Sequence, residues 1–196
     1  MTDTETYRPR TNLIFGGIGI VLCALFIWSS FYQGGVRSEI ASALVALFVL
    51  ITIYIFLIRP KVTFGDEGLI ITNPIEEFTI SWSDVIQMDT RWAFAVETKE
   101  FTVSAWAATS SGRPRLSIHE SEIKGLDIDV GGSIRVADSP TTDSGAVAYR
   151  AKVRFKRFQS APTPQTVKTR RKRQLKPLLL AVLTLIAALL VNFVGH

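Results

Sequence analysis

Three long apolar stretches without a charged side chain constrain the fold of this 196-residue chain more than any other feature. They are Leu13–Tyr32, Ile40–Ile58 and Leu178–Gly195. A helix rises about 1.5 Å per residue, so roughly 20 apolar residues cover the ~30 Å hydrocarbon layer of a bilayer. Because each stretch has about this length and carries no charge, we predict three transmembrane helices.

Lysine and arginine residues beside these stretches predict the orientation, because basic residues collect on the cytoplasmic side of membrane helices. Two lie between residues 8 and 10, two between 59 and 61, and six between 168 and 176. We therefore expect a multi-pass cell-membrane protein with a cytoplasmic tail at 1–12 and a cytoplasmic middle region. The turn Gln33–Glu39 and the C-terminal His196 are expected outside.

After Pro60 the apolar period changes from that of a helix to that of strands. Trp92, Phe94 and Val96 alternate with other residues, as half-buried strands do. Turn signals separate six short runs: Lys61–Phe64, Leu69–Thr72, Phe78–Trp82, Val85-Ile86, Arg91–Glu97 and Phe101–Trp106. Five or six short strands joined by tight turns predict an antiparallel meander that closes into a small barrel or sandwich.

The order of motifs in this region resembles that of a known family. A two-helix hairpin precedes Arg-Pro-x-Val-x-Phe at 59–64, Asp-Glu-Gly-Leu at 66–69 and Ile-x-Trp-x-Asp-Val-Ile at 80–86. This order resembles the membrane-anchored bacterial pleckstrin-homology (PH) domain proteins of actinobacteria that are named after a low-molecular-weight protein antigen. The resemblance covers about Asn12–Arg115. It implies a seven-stranded PH-like barrel closed by a C-terminal helix, and it does not imply an enzyme.

The chain departs from this family after Arg115 and in its third apolar stretch. We assign residues 59–159 to one PH-like domain, which includes an acidic insertion at 116–143, and residues 160–177 to a basic linker. Within this domain, residues 145–158 fit either a helix, with an N-cap at Asp143 or Ser144, or a strand, because 149–155 alternates apolar and basic residues. We favour the helix, whose apolar face would carry Val147, Ala151, Phe155 and Phe158.

Charge is distributed unevenly, since the chain from Ser144 onwards has eleven basic residues and no acidic one. Each basic residue near an anionic membrane surface gains about 1 kcal/mol. The residues before the third stretch also fix its orientation, and those at 150–157 could simply form a solvated face. The candidate contacts for anionic lipid head groups or a partner are Arg150, Lys152, Arg154, Lys156, Arg157, Lys168, Arg170, Arg171, Lys172, Arg173 and Lys176.

The sequence contains no convincing catalytic, metal or cofactor pattern. Cys23 is the only cysteine, and His119 lacks the spacing of a metal ligand set. Residues 127–138 only partly imitate a calcium loop, because Gly131 replaces a required oxygen ligand. No aromatic platform accompanies the basic residues, so nucleic acid is not expected.

The sequence therefore indicates a non-catalytic membrane-tethered adaptor, without a cofactor, that binds a protein or lipid at the cytoplasmic face. Its expected partners are the anionic bilayer and a membrane protein of unknown identity. The alternative is an accessory structural subunit of a larger membrane complex, in which the apolar helices pack against other subunits.

Overall fold

The computed structural model describes residues 4–32, 35–109, 142–161 and 166–193. Within these residues the α-helices are α1 Arg10–Ser30, α2 Val36–Ile53, α3 Asp143–Ser160 and α4 Lys176–Phe193. The strands of the same described residues are β1 Glu5–Tyr7, β2 Lys61–Phe64, β3 Gly68–Thr72, β4 Glu76–Ser81, β5 Val85–Asp89, β6 Ala93–Thr98, β7 Thr102–Thr109 and β8 Arg170–Arg173. A π-helical turn, Tyr54–Ile58, continues α2 directly.

The chain divides into two compact units. The β-rich unit comprises Met1–Tyr7, Lys61–Thr72 and Phe78–Arg171, and the helical unit comprises Arg8–Pro60, Asn73–Glu77 and Lys172–His196.

Three helices of the helical unit are long and apolar enough to cross a membrane, which confirms the prediction of three such helices. They span Arg10–Ser30, Val36–Ile58 and Lys176–Phe193. All three begin before the expected apolar stretches, because polar residues at a helix end continue the backbone hydrogen bonding. Large apolar side chains cover their outer surfaces, and a water-exposed apolar surface of this extent is rare in soluble proteins.

Small residues allow close packing inside the helical unit. A Cβ added at Gly19 of α1 would lie 2.5 Å from Cδ1 of Ile53, whereas Gly17 faces open space. Ala181 and Ala188 are buried on one side of α4, which packs against α2. Close approach of this kind is the usual basis of helix association in a bilayer.

The β-rich unit is built on two sheets, with the strand order β1-β2-β3-β4-β8 in one and β5-β6-β7 in the other. The pairs β1–β2, β2–β3, β5–β6 and β6–β7 run antiparallel. Each of the six strand runs that the sequence predicted corresponds to one of β2 to β7. Side chains from both sheets meet in one core, which includes Phe64, Ile80, Trp82 and Phe94. Trp92 does not continue the alternation of Phe94 and Val96, because it precedes β6 in a turn and is 83% exposed.

Two strands lie where the sequence indicated none. β1 falls within the expected tail at 1–12 and pairs with β2, with Glu5 opposite Phe64. β8 falls within the expected linker at 160–177, and all four of its side chains are basic and exposed. Strand formation there depends on backbone pairing rather than on a buried face, so no apolar alternation marks it.

Residues 143–160 form a helix, which decides between the two interpretations of this region. Its N-cap is Thr142, whose Oγ1 accepts a hydrogen bond from the Gly145 N–H at 3.0 Å. The expected N-caps were therefore wrong by one or two positions, because Asp143 and Ser144 already belong to the first turn. Val147, Ala148 and Ala151 bury this helix in the core of the β-rich unit.

Candidate functional site

Arg150 and Arg154 of α3 both form ion pairs with one carboxylate of β1. Arg150 Nε lies 3.2 Å from Glu5 Oε1, and Arg154 Nη2 lies 3.3 Å from Glu5 Oε2. The Arg150 guanidinium also lies over the Tyr7 ring, 5.2 Å from its centroid. These two candidate contact residues therefore attach the N-terminal strand to α3.

A hydrogen bond from Tyr7 adds a second attachment between β1 and α3. The Tyr7 hydroxyl donates to Asp143 Oδ1. Burial, followed by this hydrogen bond to a carboxylate, raises the pKa of Tyr7 far above its usual value. The hydroxyl thus stays protonated and donating at physiological pH.

The outer face of α3 carries the other three basic residues of this helix. Lys152, Lys156 and Arg157 are exposed there, and Tyr149 and Val153 are each 44% exposed one helical turn apart. Lys152 and Arg157 have no carboxylate partner among the described residues. Exposed aromatic and aliphatic groups between cationic side chains are typical of helices that lie at a membrane surface.

The remaining candidate contacts are divided between the two units. Lys168, Arg170 and Arg171 belong to the β-rich unit, where the Arg171 guanidinium lies 5.6 Å from the centroid of the Phe78 ring. The other three belong to the helical unit: exposed Lys172, Arg173, which pairs with Glu76 at 3.5 Å, and Lys176, the first residue of α4.

Glu67, in the turn between β2 and β3, and Asp84, at the end of the 3-10 helical turn Trp82–Asp84, hold the return segment, defined here as residues 166–169. Glu67 accepts hydrogen bonds from Thr166 Oγ1 at 2.5 Å, Thr166 N at 3.0 Å and Val167 N at 3.1 Å. Thr169 donates its hydroxyl to Asp84 and accepts from the Ser81 N–H at 3.1 Å. The motifs that carry the family resemblance contain both carboxylates, and sequence reasoning had assigned no role to either of them.

The pH dependence of this attachment follows from the Glu67 carboxylate. The hydroxyl and then the amide of Thr166 hold the pKa of Glu67 below its usual 4.5. A lowered folded-state pKa means that the stabilisation is complete above pH 4.5 and is lost as the pH falls through the folded-state value. We expect the exchange protection of the Thr166 and Val167 amides, corrected for intrinsic rates, to fall over that acidic range.

Glu67→Gln should lower the exchange protection of the Thr166 and Val167 amides at neutral pH. It should also abolish the acid dependence of that protection, because the glutamine side chain carries no charge at any pH in this range. Glu97→Gln, at an exposed position of β6, is the matched control and should retain the wild-type profile. Protection that is independent of pH in the wild-type protein would contradict the assignment.

A buried arginine organises the helical unit after the π-helical turn. Arg59 is 8% exposed, and its guanidinium donates to the Pro74 carbonyl at 2.5 Å and to Gln174 Oε1 at 2.6 Å. Gln174 Nε2 in turn donates to Glu77 Oε2 at 3.3 Å. Sequence reasoning used Arg59 as an orientation signal and as part of the 59–64 motif but assigned it no partner, since its partners are remote in sequence.

Metal ligands do not gather anywhere in the described part of the chain, where no three His, Cys, Asp or Glu side chains form a group that could hold an ion. The expectations for His119 and for residues 127–138 concern residues outside the described ones. Cys23 is buried within α1. Comparison with protein-family models, with curated proteins and with solved structures found no match to this chain.

Proposed function

We propose that this chain is a non-catalytic adaptor of the cell membrane. Helices α1, α2 and α4 cross the bilayer, and the β-rich unit and the N-terminus lie on the cytoplasmic side. Support for insertion comes from the length and outward apolar surfaces of the three helices. Support for the orientation comes from the basic residues at 8–10, 59–61 and 168–176.

The β-rich unit is proposed to be a PH-like domain. Six consecutive strands divide three and three between two sheets, and a following helix buries Val147 and Ala151 in their common core. The resemblance of the 59–86 motifs implies a seven-stranded barrel closed by a C-terminal helix, and the two sheets with a helix packed on their core support the proposal. Such a domain binds partners on its surface, which fits a role as an adaptor.

The outer face of α3 is the proposed contact with anionic lipid head groups. The observation that carries this proposal is the exposure of Tyr149 and Val153 between Lys152, Lys156 and Arg157 on a helix whose other side is in the core. An amphipathic face with cationic flanks binds the interface through apolar burial and through attraction to anionic lipid. β2 begins at Lys61, directly after the second apolar helix, so the tether to the bilayer is short.

Reversing two charges on this face should strongly weaken its docking onto anionic vesicles. We place a reporter thiol at Val153→Cys in a Cys23→Ala background and reconstitute the full chain in vesicles with or without phosphatidylglycerol. Phosphatidylglycerol should slow labelling by a water-soluble maleimide. Lys152→Glu with Arg157→Glu removes about 1 kcal/mol per residue, so docking should weaken about 30-fold or more and labelling should recover.

The matched control is Arg91→Glu with Lys99→Glu, which changes the net charge equally at exposed positions in the turns before and after β6. This control should leave the protection at residue 153 unchanged. High salt should remove the protection both in the control and in the reporter protein without charge reversal. In intact cells an impermeant maleimide should reach residue 153 only after lysis. A labelling rate at residue 153 that is the same with and without phosphatidylglycerol would contradict the lipid contact. Labelling of residue 153 in intact cells would contradict the orientation.

An accessory subunit of a larger membrane complex is the second candidate function. Trp92 and Ile86 favour it, because these apolar side chains are 83% and 58% exposed on the β-rich unit. Exposed aromatic groups of this kind often anchor protein interfaces. A stoichiometric second protein that remains bound in mild detergent and is released by Trp92→Ala would favour this function over lipid docking.

A further inference from the structure

An apolar groove runs along the helical unit between α2 and α4. Its walls are Leu50, Ile51 and Tyr54 on one side and Lys176, Pro177 and Leu180 on the other, and its volume is about 470 Å³. This volume falls within the ~300–1,000 Å³ range of small-ligand sites. The lining is aliphatic and aromatic, with a single ionisable group that is charged at neutral pH, Lys176.

The positive charge of Lys176 at this groove is not neutralised by a carboxylate in the described part of the chain. Lys176 is exposed, and no carboxylate pairs with it among the described residues. The first turn of α4 contains no acidic residue, and the helix dipole adds positive potential at the same end. A ligand that fits this groove must therefore combine an apolar body with an anionic end.

The π-helical turn lies directly beside this groove. Tyr54 is the first residue of that turn, and its carbonyl accepts the Arg59 N–H at 2.8 Å, five residues on. The wider turn interrupts the α-helical ladder where α2 lines the groove. Single π turns of this kind occur frequently at functional sites.

We propose that this groove binds one anionic glycerophospholipid, with an acyl chain between α2 and α4 and the phosphate at Lys176. The inference rests on the proposed insertion of the helices into a bilayer. The apolar walls at Leu50, Ile51 and Leu180 exclude water from the chain, and Lys176 selects for negative charge. The site differs from the outer face of α3, which belongs to the β-rich unit and is proposed to dock on the membrane surface rather than to hold one lipid.

Native mass spectrometry of the full chain tests this site. The protein is reconstituted in nanodiscs with equal amounts of phosphatidylglycerol and phosphatidylcholine, then released into mild detergent, and retained lipids are weighed. The wild-type protein should keep one phosphatidylglycerol. Lys176→Gln should lower the ratio of retained phosphatidylglycerol to phosphatidylcholine about five-fold, as expected for one basic residue.

A steric pair of variants separates the groove from the general helix surface. Leu180→Trp fills the groove and should abolish retention of the bound lipid. Leu179→Trp adds the same bulk at an adjacent exposed position outside the lining and should retain lipid as the wild type does. Equal retention of both lipids by the wild-type protein, or wild-type retention by Leu180→Trp, would overturn the proposal.

The outcomes also separate this site from the proposed function. If the chain enters nanodiscs and docks α3 normally but keeps no lipid, the groove assignment is wrong and the adaptor role stands. A second protein chain that occupies the complex in place of lipid would assign the groove to a partner helix and would likewise overturn the lipid site. Failure to enter nanodiscs at all would reject both.

Discussion

Gly68→Ala is expected to destabilise the β-rich unit by about 3 kcal/mol, at the upper end of the usual overpacking cost. A Cβ at this position would lie 2.1 Å from the Ile80 carbonyl oxygen and 3.1 Å from Cα of Ser81. Both are backbone atoms of β4, so no rotamer change can relieve the overlap. β3 and β4 are neighbours in the five-stranded sheet and would have to separate.

Chemical unfolding of the full chain in mild detergent, followed by tryptophan fluorescence, measures this loss. Trp82 supplies a signal from the core, because it is buried and donates its indole N–H to the Gly65 carbonyl at 3.0 Å. Gly17→Ala is the matched control, since a Cβ there meets nothing within 4 Å. An unfolding midpoint for Gly68→Ala as high as that of the control would show that β3 and β4 do not approach as closely as described.

Local patterns made much of the fold predictable. Apolar stretches of this length without a charge usually form helices that can span a membrane. In strands such as β2 and β6, buried apolar residues alternate with more exposed residues along the sequence. β8 could not be found in this way, because Arg170–Arg173 has no apolar residue and pairs through its backbone. β1 could not be predicted from sequence either, since this three-residue strand is held by contacts of Glu5 and Tyr7 with residues of α3.

The candidate site was predictable in composition but not in the roles of its residues. The basic residues after Ser144 stand out in the sequence, yet Arg150 and Arg154 differ from Lys152 and Arg157 in pairing with Glu5, which is 149 residues away from Arg154. Glu67 likewise looks like a solvated turn residue until Thr166 is placed beside it. Partnerships over such distances depend on tertiary structure, which no local pattern encodes.

Arg59→Leu is expected to destabilise the helical unit by about 3 kcal/mol, because it removes two charge-assisted hydrogen bonds and leaves one buried and one partly buried acceptor without this donor. The lost partners are the Pro74 carbonyl and Gln174 Oε1, at 2.5 and 2.6 Å. The leucine has the volume to fill part of the site but offers no N–H. Segment Asn73–Glu77 and Gln174, two residues before α4, would then lose their common donor.

The single thiol of the chain reports this loss without an added probe. Cys23 is buried in α1 of the same unit, so its reaction with a maleimide during titration with sodium dodecyl sulfate follows opening of the helices. The labelling midpoint should move to lower detergent for Arg59→Leu. Gln174→Ala should share much of the effect, and the double variant should lose less than the sum, because both residues act in one network.

Arg173→Leu provides the matched control, since Arg173 contacts the same 73–77 segment through Glu76 at 3.5 Å. Its side chain is 71% exposed, and an ion pair in water contributes about 0–1 kcal/mol. The two arginines thus differ in burial rather than in the segment they contact. Equal losses of stability from Arg59→Leu and Arg173→Leu would mean that burial does not increase the contribution of Arg59. A loss confined to Arg59 and Gln174 would identify the buried guanidinium as the group that fixes the end of the second apolar helix.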